Sequence, residues 1–346
     1  MSTRPEHDPL NPQDLTPPSE DFSSTGSVVS PSRLDEAGET EAARDGLQPI
    51  QLSPEKNFPL DPEPFLFQSW SQPEIIPPVR IPHLGHLAVL AAILLVSAVG
   101  SWLVAMAALH FHLFGVSSLQ QANTDIHYTL GTQAVLYLLT FGGCLLVFPL
   151  FWHKSFLAGL QWNGATAFHL RGRLIAAAGA CFVLAIVDQL LLPGPANTPI
   201  DKLFRTPLSA WLLFAFGVTF APFFEELLFR GFLLPALCTA WDWASEQATG
   251  EPARPLAANG HPQWSLPAMA VASLLTSIPF ALMHAEQTGY SWGPFLLLVC
   301  VSLVLCWARL STRSLAASVV VHASYNLLLF SLMLLGTGGF QHLDKM

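Results

Sequence analysis

Residues 208–238 read LSAWLLFAFGVTFAPFFEELLFRGFLLPALC, an apolar run interrupted by two adjacent carboxylates, Glu225 and Glu226, and by Arg230. The run exceeds the about 20 residues that a helix needs to cross the hydrocarbon core of a bilayer. Pro222 lies inside it and is expected to kink it, so the stretch either projects beyond the bilayer or is built as two pieces. An ionised side chain at the centre of a spanning helix costs about 2.5–3.5 kcal/mol on insertion scales, so such groups persist mainly where they pair, line a wet cavity or do chemistry. Adjacent helical residues point about 100° apart, so Glu225 and Glu226 cannot both face one point. Glu226 and Arg230 stand at i and i+4 with the glutamate first, the better order for pairing. Arg230 is therefore expected to neutralise Glu226, leaving Glu225 free to face a cavity. A buried ion pair that only fixes helix packing accounts for Glu226 and Arg230 equally well. It does not account for Glu225.

The rest of the chain has the same texture. Of its 346 residues, 51% are hydrophobic and only 11% charged, with mean hydropathy +0.44. A soluble domain carries about a quarter charged residues. Apolar runs at roughly 86–109, 129–151, 173–193, 208–238, 265–285, 294–310 and 313–335 give about seven candidate spans. The fold class expected is all-α, a polytopic membrane helical bundle over residues 81–346 behind a disordered tail at 1–80. That tail holds fourteen acidic and five basic side chains, which accounts for the whole net charge of −9. It is rich in Pro, Ser, Asp and Glu, and cannot bury enough surface to offset its chain entropy. A short apolar patch, Phe65-Leu66-Phe67 with Trp70, could touch the membrane or a partner. The body is charge-neutral and has no nucleic-acid footprint. The five cysteines are unspaced for a zinc ribbon or a disulfide framework and read as packed free thiols. Arg80, Lys154, Arg171, Arg173, Arg309 and Arg313 near span ends point to a multi-pass protein of the cell membrane with a cytosolic N-terminus. Lys202 and Arg205 would then lie outside, against the rule. The polar stretch 241–264 reads as a connector.

Two histidine sites follow the glutamates. His284 closes the apolar run of the fifth span, in Phe280-Ala281-Leu282-Met283-His284. His322 lies inside the seventh and shares a helix face with Asn326 at i+4. A lone helical histidine is more often a hydrogen-bonded core residue, and His110, His112, His127, His153 and His169 near span ends fit that plainer role. Asp188, near the end of the third span, reads as interfacial.

The elements Glu225-Glu226-x-x-x-Arg230, Phe280-x-x-x-His284 and His322-x-x-x-Asn326, in this order on three separate spans, resemble the signature of the CPBP intramembrane proteases. That family includes the type II CAAX prenyl endopeptidases and bacteriocin-processing relatives. The resemblance covers roughly residues 130–335. It implies a catalytic set of Glu225, Glu226, Arg230, His284, His322 and Asn326 buried between helices. By that likeness Glu225 would activate a water, with His284 orienting it or sharing its proton. His322 and Asn326 would stabilise the oxyanion, and Glu226 with Arg230 would hold the helix of the first glutamate. Peptide hydrolysis needs such a base and such donors. A metal reading stays open, because Glu225, His284 and His322 could supply three ligands to Zn2+ or another divalent ion, although no HExxH is present. The implied partners are the lipid bilayer and a peptide or membrane-protein substrate, lipidated if the CAAX likeness extends that far.

Two other function classes compete. A transporter would use the same charges to relay ions, but no inverted repeat is visible. A non-catalytic scaffold of the same fold would tolerate loss of one of the six polar residues, and all six are present.

Overall fold

The computed structural model describes residues 79–192, 203–258 and 260–343. The chain divides into two units after Trp70, and every described residue falls in the second, Ser71–Met346. The tail expected at 1–80, with its apolar patch, lies outside the described residues apart from Val79 and Arg80.

Apolar runs without polar relief become helices because only a helix satisfies its own backbone in lipid. Among the described residues, seven helical stretches are long and apolar enough to cross a membrane. They are built from α1 (Leu84–His110), α2 (Ile126–Trp152), α3 (Arg171–Leu191), a broken fourth stretch, α7 (Leu266–Met283), α8 (Trp292–Thr312) and α9 (Leu315–Gly336). The fourth stretch runs α4 (Pro207–Val218), α5 (Phe220–Glu226), a π-helical segment Leu227–Leu233 and α6 (Leu234–Thr249). No strand occurs among the described residues beyond one isolated bridge, Leu256 to Pro262. The chain is a multi-pass, all-α membrane protein.

Large apolar side chains point outward, as lipid requires: Leu95, Val96, Trp102, Leu146, Leu150 and Leu190 are all exposed. Contacts between helices use small and polar groups instead. The Ser101 hydroxyl in α1 donates to the Thr132 carbonyl in α2 at 2.6 Å. A Cβ at Gly143 would come within 2.8 Å of Ile93, so only glycine permits this approach of α2 to α1.

The fourth span departs from a simple crossing in two places, and each lies upstream of a proline. The Pro222 ring cannot tolerate the carbonyl four residues back, at Val218. The chain breaks there, with Thr219 at φ −116° and ψ −69° between α4 and α5. Pro235 cannot donate to Gly231, and the ladder before it loosens to π-helical geometry over Leu227–Leu233. The stretch is thus in pieces, as its length suggested. It also runs further than expected, because α6 continues through Thr249 into what the sequence presents as a polar connector. Asp242 and Glu246 make this extension, and both are buried because they are partnered. Asp242 accepts from the Ser265 backbone and hydroxyl, and Glu246 pairs with Arg80 at 2.7 Å.

Candidate active site

Glu225 and Glu226 close α5, about two turns after the break at Thr219. His284 caps the end of α7, and His322 and Asn326 lie in α9. The sequence spans put Glu225 at mid-span and His284 near an end. The break removes that conflict of depth, because α5 starts anew inside the bundle and sets its last turn beside the end of α7.

Glu226 is fully buried. Its Oε1 accepts from Arg230 Nη1 at 2.9 Å and lies 2.9 Å from His322 Nδ1. The Arg230 fork is completed by Ser302, whose carbonyl and hydroxyl accept from Nη2 at 2.9 and 2.6 Å, while the guanidinium carbon sits 4.5 Å over the Phe280 ring. The expected pairing of Glu226 with Arg230 is present. The sequence reading did not anticipate that His322 is a third member of this group. An oxygen of a paired carboxylate accepts, so His322 donates from Nδ1 and turns Nε2 towards the cavity.

His284 is oriented in the same way by another group. Its Nδ1 lies 2.9 Å from the Phe280 carbonyl, which can only accept, so Nδ1 carries the hydrogen. Its Nε2 is 3.6 Å from Glu225 Oε2, and the Nε2 of His322 is 3.8 Å from the same oxygen. Both separations exceed a direct hydrogen bond, and Glu225 Oε2 is buried without a hydrogen-bond partner among the described residues. Two imidazoles from two helices thus aim the same ring atom at one carboxylate oxygen from a third.

These groups open into a cavity of about 490 Å³, lined by Glu225, His284, His322 and Asn326. Thr129, Leu130 and Gln133 of α2 also line it, as does the Glu286–Thr288 turn after α7. Asn326 Nδ2 donates to the Gly217 carbonyl at 2.8 Å, just before the break. This commits one of its two N–H groups to fixing α4 against α9 and leaves the other. Among the described residues, no group of three or more His, Cys, Asp or Glu is arranged to hold a metal ion.

Two supporting residues escaped the sequence reading. Ser302 stands in the apolar run of α8 with no charge to mark it. Arg309 lies near a span end as expected, in the last turn of α8, but it is 1% exposed and donates from Nε to the Arg230 carbonyl at 3.2 Å. Asp188 is half-buried in the last turn of α3 beside the start of α8. All five cysteines are free thiols, four of them buried.

No curated protein and no solved structure matches this chain. A family model described as type II CAAX prenyl endopeptidase Rce1-like matches residues 207–328, an interval shorter than the 130–335 expected but containing all six motif residues. Over residues 207–328 this membrane protein is therefore similar to the Rce1-like type II CAAX prenyl endopeptidases.

Proposed function

We propose that the protein is an intramembrane endopeptidase in which Glu225 activates a water for attack on a peptide carbonyl. The observation that carries this reading is the unpartnered Oε2 of Glu225, bracketed by two Nε2 atoms at 3.6 and 3.8 Å. A water held between these atoms gives its proton to the carboxylate as it attacks. His284, fixed by the Phe280 carbonyl, orients that water through Nε2, then takes the proton from Glu225 on that atom and passes it to the leaving amine. His322, held by Glu226 through Nδ1–H and carrying a second proton on Nε2 in this scheme, donates from Nε2 to the negative charge that develops on the substrate oxygen, with the second N–H of Asn326 beside it. Glu226, Arg230 and Ser302 are positioning residues, because they act through the imidazole of His322. No step in this scheme is routed through a metal, and Zn2+ at Glu225, His284 and His322 remains the alternative arrangement of the same donors.

The substrate is a peptide or membrane-protein segment presented within the bilayer, and a lipidated C-terminus is the form the family relationship suggests. The test is cleavage of membrane peptides by purified wild type and Glu225→Gln. A general base contributes about 10²–10⁴-fold, so Glu225→Gln should lose at least a hundredfold in rate while staying folded and inserted. Cleavage at the wild-type rate by a protease-free Glu225→Gln preparation would remove the base role. Ion flux through liposomes without any proteolysis would favour a transporter.

A further inference from the structure

Away from the active site, the α2–α3 connection, the loop before α7 and the end of α8 enclose a second cavity, of about 430 Å³. It is lined by Gln161, Trp162, Asn163, His261, Thr312 and Arg313. Lys154 stands at its rim, with Nζ 3.3 Å from where a side chain on Gly260 would begin, next to His261. Among the described residues, none of the lining side chains is acidic, and neither Lys154 nor Arg313 enters an ion pair.

Three further observations bear on what the cavity takes. Gln161 and Arg313 both hold left-handed backbone, at φ 59° and 51°. Glycine would relieve that conformation at either position, so long polar side chains stand at the wall in spite of the backbone. Behind the wall, Arg309 donates from Nη2 to the Leu160 carbonyl at 3.3 Å, and its buried Nη1 has no acceptor among the described residues. Burial, together with the nearby Lys154, Arg309 and Arg313, holds His261 below its ordinary pKa, so the same cations converge on one imidazole. Cationic groups gathered around a polar hollow without a counter-charge fit an anion, and a phosphate offers enough acceptors to meet several donors at once. The depth also fits. Trp152, Thr312 and Leu315 mark where three spans end, which is the level of lipid headgroups.

We propose that this pocket is a phosphate-binding site, with Lys154 and Arg313 as its principal charges and the side-chain amides of Gln161 and Asn163 as its neutral donors. The phosphate belongs either to an anionic lipid headgroup or to a small soluble phosphate. The site is independent of the proteolytic reading.

The experiment uses the full chain in detergent. Native mass spectrometry follows titration with phosphatidylglycerol and with phosphatidylcholine, and thermal melting follows titration with inorganic phosphate. The variants are Lys154→Gln/Arg313→Gln, each single substitution, and Arg171→Gln/Arg173→Gln as a control that removes basic charge from the same face outside the pocket. Both pocket residues are exposed, so the unliganded melting temperature should not change. A lipid-headgroup site predicts phosphatidylglycerol binding about tenfold tighter than phosphatidylcholine in the wild type. That preference should disappear in Lys154→Gln/Arg313→Gln, weaken in each single variant and persist in the control. A soluble-phosphate site predicts equal binding of the two lipids, with inorganic phosphate raising the melting temperature of the wild type and control but not of Lys154→Gln/Arg313→Gln. The proposal is overturned if neither ligand distinguishes the wild type from Lys154→Gln/Arg313→Gln, or if Arg171→Gln/Arg173→Gln produces the same loss.

Discussion

Glu225 and Glu226 are chemically identical neighbours, and one helical step gives them opposite fates. Glu226 turns into the protein and meets Arg230 and His322 through Oε1, whereas Glu225 turns into the cavity between the two imidazoles. The charge of Glu226 is tolerable only while Arg230 is there. Removing one member of a buried ion pair costs about 3–5 kcal/mol, because the other charge is left uncompensated. Arg230→Met should therefore lower stability by about that amount, read as chemical denaturation in detergent. Arg230→Lys should recover only part of it, since an ammonium lacks the planar fork that reaches both Glu226 and Ser302. An Arg230→Met protein as stable as wild type would show that the pair contributes nothing net. A second expectation at this scale concerns metal. Because the proposed scheme takes its nucleophile from a carboxylate-activated water, cleavage should survive 1,10-phenanthroline and EDTA. Loss on chelation, restored by Zn2+, would replace the carboxylate-activated water with a metal-bound one at Glu225, His284 and His322.

At the scale of elements, the break before Glu225 is the device that lets a mid-span residue meet the end of another helix. Its cause is Pro222, whose ring excludes the Val218 carbonyl from a regular ladder. Pro222→Ala should restore helical continuity from α4 into α5 and rotate Glu225 relative to His284 and His322. A displacement of about 1 Å from productive geometry can cost on the order of a hundredfold in rate. The expected outcome is a strong loss of cleavage at unchanged or higher melting temperature, with helicity by circular dichroism retained. Full activity in Pro222→Ala would mean that the break does not position the base. The sequence made the seven spans legible, because lipid demands long apolar runs and tolerates few charges. It also made the three polar elements legible, since each interrupts such a run. The internal break was visible only as Pro222 and excess length, and its position at Thr219 depends on how α4 packs against α9 through Asn326 and Gly217. Ser302 was not legible, because an uncharged residue in an apolar helix looks alike whether it faces lipid or a guanidinium. The helical extension to Thr249 was hidden for a related reason: Asp242 and Glu246 read as solvated loop charges until Ser265 and Arg80 are seen to cover them.

Across the whole molecule, seven crossings alternate in direction, and this sorts the loops onto two faces. One carries the start of α1, the α2–α3 connection, the loop after α6 and the α8–α9 turn, with Arg80, Lys154, Arg171, Arg173, Arg254 and Arg313. The other carries the α1–α2, α3–α4 and α7–α8 connections, where Arg205 is the basic residue among those described. Basic loops favour the cytosolic side, so the first face should be cytosolic and the N-terminal segment with it. The phosphate pocket lies on that face. The active cavity reaches the opposite one, through Thr129 near the start of α2, Leu203 before α4 and the Glu286–Thr288 turn after α7. The orientation therefore decides from which side a peptide meets Glu225. Single cysteines introduced at Ser117 and Ser155, both exposed and on opposite faces, test it in a protein whose native cysteines have been replaced by alanine or serine. A membrane-impermeant maleimide should label Ser117→Cys in intact cells and reach Ser155→Cys only after permeabilisation. The reverse pattern would put the basic face outside and the mouth of the cavity in the cytosol, so that substrates would have to arrive from the cytosolic leaflet.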